Sequence, residues 1–359
     1  MMTSRERVLA ALARQQPDRV PIDYSANPGI DARLKRHFNL DTDDTEGLRQ
    51  ALGVDFRQVA PAFVGEKLHA DVPHRRVDPL WGRRTRWIEH DSGGYWDFCD
   101  FPLSDATEAD IATWPCPSVD DYDYDGFAAD VRRRQHEQVA VFFGNPGLGD
   151  IINSNGMIRS MEQVLVDLVT DDPAGLILID RKVEHELGLM RRCLEVGGDG
   201  IDFVWLGEDL GTQRGPLLSL EMYRRHIRPR HARYVDLAAE FGKPVMIHTC
   251  GSSSWAYDDF IDMGIAAVDT LQPEAHEMAP AFLKSRYGHG LSFHGCISTA
   301  GPVAYGTVEE VVDVCRETLE TMMPGGGYCF SPTHQLQDNS PTENVLAMYD
   351  TAIRYGNYD

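Results

Sequence analysis

His248 and Cys250, in Pro244-Val245-Met246-Ile247-His248-Thr249-Cys250-Gly251, place an imidazole and a thiol two residues apart at the end of an apolar run. In a strand, residues i and i+2 point to the same side, so the ring nitrogen and the sulfur can meet one ion without strain. Both are zinc-type ligands. A His-x-Cys pair is weak evidence alone, because a chain with 13 His and 7 Cys contains roughly 0.25 of them by chance. The plain alternative is a strand end with a hydrogen-bonded imidazole and a buried thiol. The third ligand is expected to be His334, in the polar turn after another apolar run, Gly327-Tyr328-Cys329-Phe330. His294 is a second candidate ligand, a supporting group or a substrate contact. Three protein ligands leave a fourth position open, which is the arrangement of a catalytic zinc rather than a structural one.

Other reactive side chains also fall where apolar runs end. Glu208 and Asp209 precede a Leu-Gly turn and could orient a ligand histidine or handle a proton; capping the turn is their structural alternative. Asn145 and Gln272 are candidate contacts to polar groups of a substrate, or simply loop hydrogen-bonding groups. Cys296 and Cys329 are expected to pack as small hydrophobes, and Tyr305 and Trp205 to belong to the core or its wall.

The elements that must hold these residues alternate. Strand-like runs at 139–145, 200–206, 244–248, 267–271, 291–294 and 327–330 are separated by helical stretches at 162–168, 174–196, 220–241, 253–263, 279–287, 308–322 and 342–355. Unbroken apolar strands between helices imply a parallel sheet covered on both faces. A TIM barrel fits better than a doubly wound sheet, because a barrel gathers the carboxyl ends of all its strands, and so these residues, onto one rim. Before this come a helix from 4 to about 14, a short strand at 20–24 and an irregular stretch to about 130. The expected organisation is one α/β domain over 1–359, with an N-terminal helical and irregular extension plus the first barrel elements in 1–130 and the main barrel in 131–359.

Composition narrows the partners. A net charge of -22 and 42% hydrophobic content describe a globular protein that nucleic acid and anionic membranes would repel. No run approaches the length of a membrane span, the N-terminus reads as an amphipathic helix rather than a leader, and an odd number of scattered Cys argues for reduced thiols. A cytoplasmic address is expected. No Gly-x-Gly-x-x-Gly after a strand and no Gly-Lys-Ser/Thr loop points to a dinucleotide or nucleoside triphosphate.

Ser4-Arg5-Glu6-Arg7-Val8, Pro17-Asp18-Arg19-Val20-Pro21, Gly207-Glu208-Asp209-Leu210-Gly211, His248-Thr249-Cys250-Gly251 and Ser331-Pro332-Thr333-His334 followed by Pro341-Thr342-Glu343-Asn344 together resemble the uroporphyrinogen decarboxylase superfamily, over essentially the whole chain. The resemblance implies a TIM barrel with an N-terminal extension, and one of two activities. The decarboxylases are cofactor-free and grip an octacarboxylate with an arginine-rich N-terminal segment, where this chain has Pro21-Ile22-Asp23-Tyr24-Ser25-Ala26-Asn27. The corrinoid-dependent methyltransferases, coenzyme M methyltransferases among them, bind zinc through a His-x-Cys pair and a later Cys. His248 and Cys250 match the pair, and the later position falls on His334. Two imidazoles and one thiolate would leave the ion more electrophilic than one imidazole and two thiolates.

The resemblance thus implies a zinc-dependent methyltransferase moving a methyl group between a small thiol, ether or amine and a corrinoid. The chain has no Asp-x-His-x-x-Gly corrinoid motif, so a separate corrinoid protein is the implied partner. The rival readings are a metal-free decarboxylase, with Asp209 stabilising a protonated pyrrole or similar cation, and a noncatalytic corrinoid carrier or binding partner. Homo-oligomerisation is left open.

Overall fold

The computed structural model describes residues 1–90 and 93–358. At its centre is an all-parallel sheet of β1 (Phe56–Val59), β2 (Ala140–Gly144), β3 (Phe203–Gly207), β4 (Val245–Thr249), β5 (Ala267–Thr270), β6 (Ser292–Ile297) and β7 (Tyr328–Pro332), hydrogen-bonded in that order. Residues 21–23 take the eighth place. Phe330 donates its N–H to the Pro21 carbonyl (2.8 Å) and accepts from Asp23 (2.9 Å), while Asp55, just before β1, donates to the Ile22 carbonyl (2.8 Å). These bonds join the last strand to the first, and the ring is a TIM-barrel-like α/β fold. The short strand expected at 20–24 is this closing segment.

Every residue of β2, β3, β6 and β7 is buried, as a sheet with a filled interior and a helical jacket requires. Phe56, Phe142, Phe203, Trp205, Met246 and Cys329 fill the interior, and α1 (Ser4–Leu12) closes its amino end with Val8, Ala11 and Leu12. Around the outside run α2 (Ile152–Arg159), α3 (Pro173–Gly197), α4 (Arg228–Glu240), α5 (Val308–Met322) and α6 (Thr342–Tyr355).

The structure departs from the sequence expectations at three places. β1 lies inside the stretch read as irregular. Its Phe-Arg-Gln-Val shows no apolar run, because Arg57 is buried as one half of an ion pair with Glu46 (2.7 Å). The helix expected over 220–241 is broken by a π-turn at Tyr223–Ile227, in which the Arg228 N–H reaches back to Tyr223; Pro229 has no N–H to offer the regular ladder. Tyr305 is not core: it is 76% exposed.

The seven cysteines are all unpaired. Among the described residues no helix is long and apolar enough to cross a membrane.

Candidate metal centre

Two glycines bring the site together. Gly251, directly after Cys250, has φ +69°, and a Cβ there would sit 2.4 Å from the Gly211 carbonyl oxygen; a Cβ on Gly211 would sit 2.3 Å from the Ser252 nitrogen. Only bare backbone allows the loops after β3 and β4 to approach this closely. They are laced together by Glu208 N–H to the His248 carbonyl (2.9 Å) and Ser252 N–H to the Thr212 carbonyl (2.8 Å). The Asp209 carboxylate is thereby carried to the His-x-Cys pair, where its Oδ1 accepts from the Cys250 N–H at 2.9 Å.

Asp209, His248 and Cys250 each offer one ligand atom, and these atoms lie within 4.8 Å of one another. His248 Nε2 is 3.4 Å from Cys250 Sγ and 3.8 Å from Asp209 Oδ1. Asn153 Nδ2 donates to Asp209 Oδ2 (2.7 Å) and fixes the carboxylate from the other side.

Behind His248 lies a row set by strand register. Asp269 of β5 is the partner of His248 on β4 and of His294 on β6. Its two oxygens accept from His248 Nδ1 and His294 Nδ1, both at 2.6 Å, and His294 Nε2 lies 3.2 Å from Asp23 Oδ2 on the closing segment. A carboxylate held on Nδ1 sets the tautomer and leaves Nε2 for a metal.

Burial disfavours charge here, yet the pairing dominates. Against that burial, Asp269 and Cys250 raise the His248 pKa well above its ordinary value. His294, between Asp269 and Asp23, rises to about 9, and Asp269 is held far below the usual carboxylate range by its two histidines. Burial pushes the Cys250 thiol up in spite of His248.

The remaining expected residues go elsewhere. Glu208 turns away from the pair and accepts from the Ile151 and Ile152 N–H groups (2.8 and 3.1 Å), capping the start of α2; burial raises its carboxyl to about 8. Gln272 accepts from the Gly251 N–H at 2.6 Å and so braces the ligand loop. Asn145 accepts from Gly147 N–H (2.7 Å) at the mouth of a neighbouring cavity. His334 is exposed in the bend after β7 and lies outside the group of three potential ligand atoms, whose third member comes from Asp209. Sequence reasoning passed over Asp269, Asp23 and Asn153. Only Asp269 carried a signal, as a lone carboxylate inside the apolar run Ala267-Val268-Asp269-Thr270-Leu271.

The uroporphyrinogen decarboxylase (URO-D) family model matches residues 158–355, more than half of the chain and the part that holds the candidate ligands. Among solved structures, a methyltransferase from Methanosarcina mazei superposes with a TM-score of 0.67 at 15% identity, covering 99% of both chains. A D-psicose 3-epimerase superposes at 0.37 with 10% identity, over 65% of this chain and 83% of the other. No curated protein matches the sequence.

Proposed function

The chain belongs to the uroporphyrinogen decarboxylase family, and on that premise we propose that it is a zinc-dependent methyltransferase working between a small thiol, ether or amine and a corrinoid carried by a partner protein. The observation that carries the reading is the convergence of Asp209, His248 and Cys250 on one point, backed by a carboxylate on His248 Nδ1. A nitrogen, a sulfur and an oxygen with a free fourth position suit a catalytic zinc. When bound, zinc supplies Lewis acidity that makes a thiol nucleophilic at neutral pH or weakens a methyl–heteroatom bond.

The protein's own groups do the rest. Asp269 holds the His248 ring with Nε2 facing Cys250, Asn153 and the Cys250 N–H hold Asp209, and Gln272 steadies the glycine turn behind the thiol. The fold match to a methyltransferase over the whole chain agrees with this activity, and in this reading the corrinoid is delivered by a second protein.

Metal analysis of protein purified without chelator tests the reading. About one zinc per chain is expected, lost in Cys250→Ser and weakened in Asp209→Asn, together with methyl transfer from methylcobalamin to a small thiol. Protein that binds no zinc even when zinc is added overturns the reading and favours metal-free decarboxylation.

A further inference from the structure

The aim of the His248 ring depends on the carboxylate behind it, and that carboxylate needs an anchor of its own. The last torsion of an aspartate has a broad, roughly two-fold well, so one hydrogen bond to His248 would leave the plane of Asp269 loosely set. A rival also stands within reach. Thr270 Oγ1 lies 2.8 Å from His248 Nδ1, the nitrogen that Asp269 Oδ2 holds at 2.6 Å. A hydroxyl can donate as well as accept. Donating to Nδ1, it would leave the ring proton on Nε2, the atom that a metal needs bare. Thr270 is fixed in this place: it is fully buried, and its φ of +88° is a left-handed backbone that β-branched residues rarely adopt.

His294 supplies the anchor. Its Nδ1 meets Asp269 Oδ1 at 2.6 Å, so each carboxylate oxygen has its own ring and Oδ2 is left to His248. The ring of His294 is itself held. It is 2% exposed and stands edge-to-face against Phe56 and Trp205, with ring centres 5.3 Å away in both cases. Asp23 Oδ2 on the closing segment lies 3.2 Å from its Nε2, an ion-pair contact without the alignment of a hydrogen bond. The backbone brings the ring here through Gly295, which has φ +120° and where a Cβ would sit 2.3 Å from the Thr270 carbonyl oxygen. The ends of β5 and β6 come this close only because the residue after His294 is bare. With so little surface, His294 acts from behind rather than on a substrate.

We propose that His294 is a positioning residue for the metal centre: it fixes the Asp269 carboxylate in the plane that turns His248 Nε2 toward Cys250 and Asp209, with Asp23 steadying it in a lesser role. The consequence for zinc rests on the zinc-dependent reading above; the positioning of His248 does not.

Two substitutions separate positioning from packing. The amide nitrogen of an asparagine overlays Nδ1 of a histidine and that of a glutamine overlays Nε2, so His294→Asn restores the donor to Asp269 and His294→Gln does not. Both remove the ring from Phe56 and Trp205, so a merely structural role would weaken them alike. Zinc affinity, measured by competition with a chelator, is expected to fall about tenfold in His294→Gln and to stay within about threefold of the parent in His294→Asn, the lower end for groups that support a ligand.

The readout without metal is the NMR spectrum of the zinc-free full chain carrying isotope-labelled histidine. Far-downfield, slowly exchanging Nδ1–H signals are expected from both His248 and His294 in the parent, an observation that needs no variant to fold. The His248 signal is expected to remain in His294→Asn and to vanish in His294→Gln. Absence of either signal from the parent, equal zinc loss in the two variants, no loss in His294→Gln, or a His248 signal that is the same in both overturns the proposal. A chain whose His248 signal follows the expected pattern but which binds no zinc keeps the positioning role and loses the function proposed above.

Discussion

The two ends of the barrel are built from the same side-chain types and finished differently. At the amino end, Asp55 is fully buried and surrounded by donors: Ser4 Oγ (2.6 Å) and Arg7 Nη1 (2.7 Å) on one oxygen, Arg19 Nη1 (2.8 Å) and the Ile22 N–H (2.8 Å) on the other, with Arg19 Nη2 at 3.0 Å. Arg7 continues to Asp18 at 2.8 Å. The lone pairs of Asp55 are used up, and the network ties α1 and the closing segment to β1. At the carboxyl end, Asp269 is also shared, by His248 and His294, but in front of it His248 Nε2, Cys250 Sγ and an Asp209 oxygen lie within 4.8 Å of one another, and among the described residues only two donors, the Cys250 N–H and Asn153, reach the Asp209 carboxylate. A saturated cluster holds a fold; the cluster at the carboxyl end keeps lone pairs that a ligand could use.

The strongest way to break this contrast is Asp55→Ala, which takes the shared carboxylate from buried Arg7 and half-buried Arg19. The expected loss is about 3–5 kcal/mol of unfolding free energy, the usual consequence of removing one partner of a buried ion pair, read from urea denaturation. Zinc per folded chain should be unchanged. A variant as stable as the parent would show that the amino-end network is not what closes the barrel.

Asp269→Asn probes the other end. The ring of His248 keeps a hydrogen-bonding neighbour but loses the carboxylate that sets its tautomer, and zinc affinity should fall about 10- to 100-fold, measured by competition with a chelator. The stability loss should be smaller than for Asp55→Ala. Equal zinc affinity would mean that His248 does not ligate through Nε2.

Acid sharpens the contrast at the amino end. The Arg7 side chain and the Met2 N–H outweigh burial and hold Asp18 at about 2; Arg57, with Arg134, holds Glu46 at about 2. Ordinary values are 3.8 and 4.5. A depressed folded pKa contributes stability that is complete above the ordinary value and lost as pH falls through the folded one. The urea midpoint should therefore drop between about pH 4.5 and 2, with a shallower slope in Arg7→Met. An equal slope in that variant would remove Asp18 from the account.

These differences also explain what could be read from the chain. The runs at 139–145 and 327–330 stood out because strands buried on both faces are continuously apolar, and their ends pointed to the rim. β1 was hidden because Arg57 replaces an apolar residue and is neutralised by Glu46, a partner no periodicity reveals. Ser4-Arg5-Glu6-Arg7 and Pro17-Asp18-Arg19, which supported the family resemblance, are in this structure the saturated network of the amino end. His248 and Cys250 were legible because two zinc-type side chains two residues apart at the end of a strand need only the period of that strand. The residue that joins them depends on how closely two loops approach, and that closeness is set by Gly211 and Gly251.

His334→Ala should have the smallest effect. An exposed side chain in the bend after β7 has no packing to lose, so stability should move by no more than about 0.5 kcal/mol. If Asp209 is the third ligand, as proposed, zinc per chain should be unchanged, whereas Asp209→Asn should weaken it. The opposite result, zinc lost in His334→Ala and kept in Asp209→Asn, would mean that the bend after β7 folds inward when the metal binds. The open end of the barrel would then be completed by the ion itself, which is the one respect in which it could come to resemble the saturated end.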